Sequence, residues 1–227
     1  MTNNSLSAQQ TLFSFNELTG KVKPANSNNP FSLRGEVYTA FLKMQKAAAI
    51  DGIKIKIVSS YRSFTRQQQI WNRKYKKFTN QGLSPETAIN KIIEYSTLPG
   101  TSRHHWGTDI DIVLDIDNPP TSLLNPTNFK KNNIFYPLKQ WLDKNALTYG
   151  FELVYTADPN RKGFKYEPWH YSYAPTSKSM LSEYISCKII KQLNQKNTSG
   201  SYFLSIKFIS NYLNSNILQI KPTLIPE

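Results

Sequence analysis

Thr101-Ser102-Arg103-His104-His105-Trp106-Gly107-Thr108-Asp109-Ile110-Asp111 is the stretch whose reading decides the fold. Glu167-Pro168-Trp169-His170-Tyr171 belongs with it. The chain holds 3 histidines, and all of them lie in these two stretches, each of which also carries carboxylates. A catalytic zinc takes three protein ligands from His, Asp or Glu and keeps one position open for water, with a general base in reach. His104, Asp111 and His170 can supply the ligands, and Glu167 the base.

Strand alternation gives the first stretch its sense. Period two puts Asp109 and Asp111 on one face of a strand and Ile110 and Ile112 on the other. Two aspartates inside an apolar run need a compensating charge, and a dication provides it. Gly107 lets the backbone turn so that His104 and the aspartates aim at one point. Glu167 and His170 are three apart, which straight alternation would send to opposite faces. A twist, bulge or strand end is therefore expected there, and Pro168 suits one.

The surrounding elements follow from periodicity. Residues 1–34 read as a loose lead-in with a short element at Phe13 to Leu18, and Met1 to Gln10 is polar. From Glu36 a helix carries Val37, Ala40, Phe41, Met44, Ala47 and Ala48 on one face and ends at Asp51-Gly52. Ile53, Ile55 and Ile57 alternate as a strand running into Ser59-Ser60-Tyr61-Arg62-Ser63. Ser63 caps a helix with Gln67, Ile70, Trp71, Lys74, Tyr75 and Phe78 on one face. Ser84-Pro85 opens another helix, which Leu98-Pro99-Gly100 follows as a break. Strand is expected over Asp109 to Leu114, loop over Asp117 to Lys131, and helix over Ile134 to Tyr149 with Gly150 as its stop. Phe151 to Tyr155 and Lys165 to Tyr173 are expected strands, the second ended by Pro175. Leu181 to Leu193 and Tyr202 to Leu213 are expected helices of a cap on the same domain.

Composition narrows the class. At 227 residues the chain can be one domain with a substantial core. With 1 cysteine it cannot form an intrachain disulfide. No stretch approaches the ~20 apolar residues of a membrane span, and no secretory signal is visible at the start. A cytoplasmic location is expected, or a periplasmic one if a leader has been removed. The net charge of +13 favours acidic partners. The lysines are spread rather than blocked and no nucleic-acid motif is present, so nucleic acid is not expected as a partner.

These residues carry a resemblance. Ser102, His104, Gly107 and Asp111, then Glu167 and His170, preceded by Tyr61-Arg62-Ser63 and Gln67, resemble the motifs of the VanY-type D-alanyl-D-alanine carboxypeptidases. Those zinc peptidases are related in fold to D-Ala-D-Ala dipeptidases and to the amino-terminal signalling domain of Hedgehog proteins. The resemblance spans roughly Ile53 to Pro175. Its spacing selects His104 over His105. Asp109 stands where the family often has a small residue, and its role as outer partner or alternative ligand is left open.

The resemblance implies an α+β domain over 1–227 (core 36–175, helical cap 176–227), with a small, mainly antiparallel sheet carrying the zinc and helices around it. His104, Asp111 and His170 would bind Zn2+, and Glu167 would move the proton. Arg62 would polarise the scissile carbonyl or hold a carboxylate. Gln67 and Ser102 would help hold the substrate terminus, and Trp169 and Tyr171 would wall the cleft. Blander roles compete: an ion pair for Arg62, a backbone cap for Gln67, a turn for Ser102. The implied activity is removal of the C-terminal D-alanine from peptidoglycan peptides by a monomeric enzyme. An L,D-carboxypeptidase acting on tetrapeptides in wall recycling is preferred to a D,D-enzyme acting on pentapeptides. A peptidoglycan endopeptidase and a non-catalytic zinc-stabilised binding module are the alternatives. Glu167 argues against the last, since a structural site needs no base.

Overall fold

Alternation along Asp109–Leu114 builds the middle of a four-stranded sheet. The computed structural model describes residues 12–226; Met1 to Gln10, read above as a polar start, lie outside them. The described elements are α1 (Phe15–Leu18), α2 (Gly35–Ile50), β1 (Ile55–Ser59), α3 (Phe64–Asn80), α4 (Pro85–Ile92), β2 (Asp109–Leu114), α5 (Tyr136–Asn145), β3 (Phe151–Leu153), β4 (His170–Tyr173), α6 (Ala174–Ser186), α7 (Ile189–Gln192) and α8 (Ile206–Tyr212). The strands lie in the order β1-β2-β4-β3, and every neighbouring pair is antiparallel. The fold is the expected α+β arrangement of a small antiparallel sheet with helices around it.

Register assigns the two faces. Ile57 stands opposite Ile112, Ile110 opposite Tyr171, and Phe151 opposite Tyr173. These residues share a core with Val37, Phe41 and Met44 of α2 and Leu138, Trp141 and Leu142 of α5. The other face shows Asp111 opposite His170 and Asp109 opposite Ser172. Beside it lies a second core around Trp71, Ile89, Trp106, Tyr155, Tyr184 and Tyr212. Apolar groups on both sides therefore enclose a polar patch on one face of the sheet.

Local signals behave as their chemistry requires. Ser63 accepts from Arg66 N, and Ser84 accepts from Thr87 N with Pro85 opening the helix. Gly150, at φ +80°, ends the turn after α5 in the left-handed region. Several expected boundaries shift. The second metal-bearing strand begins only at His170, and Pro168-Trp169 form a turn before it. This strand end puts Glu167 on the side of His170, with His170 N bonded to Glu167 O at 3.1 Å. Pro175 ends that strand by opening α6, so the first C-terminal helix starts well before Leu181.

From residue 12 the lead-in is not loose. Ser14 and Glu17 form a reciprocal cap on α1, Glu17 pairs with Arg34 at 2.9 Å, and Leu18 O accepts from Trp106 Nε1 at 3.0 Å. The apolar side of α1 thus supports the loop that carries the histidines. The C-terminal segment, in the same core as Leu18, braces the preceding residues 98–100. Leu98 N donates to Tyr212 Oη at 3.1 Å, Tyr184 Oη to Gly100 O at 2.9 Å, and Gln195 Nε2 to Pro99 O at 2.9 Å.

Candidate metal centre and active-site cleft

Arg103–Trp106 forms a single 3-10 turn that Gly107 closes at φ +68°. It is clamped to Ser60-Tyr61-Arg62. Arg62 N donates to His104 O at 3.1 Å, and His104 Nδ1 meets Ser60 O at 2.8 Å. A carbonyl accepts only, so His104 Nδ1 donates there and Nε2 is the nitrogen turned toward Asp111. His105 turns away from the cleft. Its Nε2 accepts from Gly100 N at 3.1 Å, which requires the proton on Nδ1, facing Arg62 O. Full burial lowers the His105 pKa to about 3 and keeps the ring neutral. His105 is a brace between two loops.

β2 then presents its aspartates. His104 Nε2 lies 3.6 Å from Asp111 Oδ2, and His170 Nδ1 lies 3.7 Å from Asp111 Oδ1. The two imidazole centroids are 4.7 Å apart. Burial would raise the Asp111 pKa, but the His104, His170 and Arg62 charges lower it, and the carboxylate stays ionised. Asp109 sits behind this group, fully buried. Its Oδ2 accepts from Arg103 Nε at 3.0 Å and faces His170 Nε2 at 2.9 Å; its Oδ1 accepts from Thr108 at 2.8 Å and Ser172 at 2.6 Å. Such a carboxylate behind a histidine fixes which ring nitrogen points forward. Asp109 thus stands behind His170 and off the cleft wall.

Glu167 Oε2 is 3.0 Å from His170 Nδ1, the nitrogen on the Asp111 side. The group opens onto a cleft of about 550 Å3 whose walls include Arg62, Ser102, Glu167 and Trp169. The Arg62 guanidinium is steadied by Gln67 Oε1 at 3.0 Å and Ser59 Oγ at 3.1 Å. It makes no ion pair within 4.0 Å among the described residues. Burial lowers its pKa, while the Asp111 and Glu167 charges raise it, which marks it as facing the same centre.

Two expected contacts are corrected. Gln67 is fully buried and spent: its oxygen holds Arg62 and its Nε2 donates to Thr97 O at 2.7 Å, so it positions Arg62 rather than holding a substrate terminus. Tyr171 faces the opposite side of the sheet from His170 and packs in the core with Ile110, so it does not wall the cleft. Three residues of the site were not singled out from the sequence for their roles there. Ser172 could have been found by alternation from His170. Arg103 and Lys74, both on the cleft wall, carried no motif signal.

A metal fits this group. Ligand atoms of His104, Asp111 and His170 lie within 4.8 Å of one another, and all three residues are buried. Asp111 Oδ1 is buried without a hydrogen-bond partner, a costly state for a carboxylate oxygen that a bound cation would relieve. Two imidazoles and one carboxylate are a catalytic zinc donor set.

Comparison with known proteins places this geometry in a family. The family model for VanY, D-alanyl-D-alanine carboxypeptidase, matches residues 30–176. The chain belongs to this family. A D-alanyl-D-alanine carboxypeptidase of Enterococcus faecalis is 30% identical over 128 residues, 56% of this chain and 42% of that protein. An uncharacterized protein of Haemophilus influenzae is 34% identical over 98 residues, 42% of this chain and 73% of that protein. The chain thus spans less than half the length of the Enterococcus relative. Among solved structures, a vancomycin-resistance D,D-pentapeptidase VanY, a glutamate-to-alanine variant in complex with Zn(II), superposes with a TM-score of 0.51 at 23% identity, covering 71% of this chain and 84% of that one. VanYB in complex with D-alanine-D-alanine gives 0.50 at 23%, covering 72% and 83%. At these identities the likeness is one of fold.

Proposed function

We propose that the chain is a zinc carboxypeptidase that removes the C-terminal D-alanine from peptidoglycan peptides. The observation that carries this reading is the convergence of His104, Asp111 and His170 beside Glu167 at an open cleft. Bound zinc would supply a Lewis acid that brings the pKa of a water to about 7 and polarises the scissile carbonyl. Glu167 accepts the proton of the attacking water and passes it to the leaving amine. Arg62, held by Gln67 and Ser59, donates to the carbonyl oxygen as it gains charge. Ser102 and Trp169 line the same cleft and contact the peptide. All these groups come from one chain, so a monomer suffices.

Within this activity the preferred substrate is a free tetrapeptide whose terminal D-alanine hangs on an L,D bond, as in cytosolic wall recycling. Such peptides carry several carboxylates, which suits the cationic cleft wall of Arg62, Lys74 and Arg103 and the net charge of +13. Mass spectrometry of tetrapeptides, D-Ala-D-Ala pentapeptides and intact sacculi, before and after incubation, tests this. Loss of one alanine, fastest from the tetrapeptide, is expected. Preference for the pentapeptide would reverse the L,D assignment, and an internal cut would replace the carboxypeptidase with an endopeptidase. Fractionation checks the location; recovery of the native protein in the periplasm would contradict recycling. Glu167→Gln should retain zinc and lose ~100- to 10,000-fold in rate. Activity within a few-fold of the parent would remove Glu167 as the base.

A further inference from the structure

We propose that the Lys74 ammonium, on the α3 wall of the cleft beside Ser96 and Thr97, anchors the terminal carboxylate of the peptide substrate. The inference rests on the carboxypeptidase reading and names the group that reads the free chain end.

α3 turns Gln67, Trp71 and Lys74 along one face, and the first two are buried. Lys74 is where this stripe reaches the cleft, which Ser96 and Thr97 also line. Its Nζ donates to Ser96 Oγ at 2.6 Å. An ammonium has three donors, so two remain for a ligand. Among the described residues no carboxylate lies within 4.0 Å of this nitrogen, unlike Lys56, Lys91, Lys139, Lys165 and Lys221, which are paired. The neighbouring Thr97 hydroxyl has no hydrogen-bond partner. Burial pulls the Lys74 pKa down, and the Glu167 charge across the cleft only partly offsets it.

The other cationic groups of the cleft are committed elsewhere. Arg103 is charge-paired with Asp109 and holds Ser172, although its Nη1 makes no hydrogen bond. Arg62 faces Asp111 and Glu167, at the end where the carbonyl reacts. Gln67 is fully buried behind Arg62 and does not line the cleft. A peptide whose scissile carbonyl lies between Arg62 and the His104–Asp111–His170 group needs its carboxylate met by a cation away from that end, and Lys74 stands on the cleft wall with two free donors and, among the described residues, no carboxylate within 4.0 Å. A compact ammonium with rotatable donors suits that task. A chain continuing past the D-alanine would bring no charge to Lys74, so free ends would be favoured.

The test is equilibrium binding to the zinc-loaded Glu167→Gln protein, whose turnover is expected to be slowed ~100- to 10,000-fold. Calorimetry compares a tetrapeptide ending in D-alanine with the same peptide ending in D-alaninamide. With Lys74 present, the acid should bind ~10- to 100-fold tighter, as a charge-assisted hydrogen bond gives. Lys74→Met should abolish this preference while thermal unfolding stays close to the parent, and Lys74→Arg should restore part of it. If Lys74→Met fails to fold, Lys74→Gln takes its place with the same expectation. Equal binding of acid and amide with Lys74 present, no binding of either, or a preference that survives in the Met or Gln variant would overturn the anchor. An otherwise active parent with such a result loses the anchor alone. A parent that releases no D-alanine, but whose acid preference depends on Lys74, loses the hydrolysis reading alone.

Discussion

Asp109 does not line the cleft, yet it governs the side chains that do. Its Oδ1 receives Thr108 and Ser172, and its Oδ2 is shared between Arg103 Nε and His170 Nε2. Asp109→Asn should weaken zinc binding ~10- to 100-fold, as loss of an outer partner does, measured by competition with a chromophoric chelator. Unchanged affinity would remove that role. In the metal-free protein burial alone would lower the His170 pKa, but the bonds to Asp109 and Glu167 and the Asp111 charge raise it from 6.5 to about 10. A raised pKa stabilises the metal-free fold fully below the unfolded value near 6.5, and that contribution is lost as pH rises through about 10. Zinc must displace this proton, so its affinity should climb from pH 6 toward pH ~9, by up to ~10-fold per unit. A flat profile would contradict the protonated state. At this scale the convergence of His104, Asp111 and His170 was legible, because every histidine sits in a motif. Tyr171 was misread because adjacency to a ligand was taken as sharing its face, although alternation sends 170 and 171 to opposite sides. Gln67 was misread because its partners, Arg62 and Thr97 O, meet it only in the fold.

Among the elements, the short turn from Arg103 to Gly107 sets the geometry of the first histidine. Gly107 holds φ +68°, and a Cβ there would stand 2.6 Å from Pro24 Cγ and 3.3 Å from Ser32 O. Gly107→Ala should cost ~1–3 kcal/mol in denaturant unfolding, from backbone strain and this crowding. A loss under ~0.5 kcal/mol, the range of neutral surface changes, would count against it. The regular elements were legible where caps and periodicity agreed, as at Ser63, Ser84-Pro85 and the Ile110/Ile112 alternation. Where chain direction depends on tertiary contacts they were not. Residues 165–169 look strand-like, but the backbone there leaves the sheet so that Glu167 can stand beside His170.

Over the whole molecule, the polar patch is held between two cores, and the second is built largely from the C-terminal segment. Tyr184, Ile189, Ile190 and Tyr212 pack with Trp71 and Trp106. Lys221 pairs with Glu152 at 2.6 Å, next to the sheet. The family match ends at residue 176, yet removal of 177–227 should leave this core open and the protein insoluble or unfolded. A truncated chain with a cooperative melting transition and zinc binding like the parent would contradict this. The sequence suggested a cap here but could not assign its task, since the Tyr212–Leu98 and Tyr184–Gly100 bonds join residues more than eighty positions apart. The central claim is that a single zinc on His104, Asp111 and His170 makes this cleft a peptidase. Its most direct test is the rate of D-alanine release from a tetrapeptide as zinc is titrated into the metal-free protein. The account predicts no release without zinc and a linear rise that levels at one zinc per chain; full release without metal, or none at one equivalent, would contradict it.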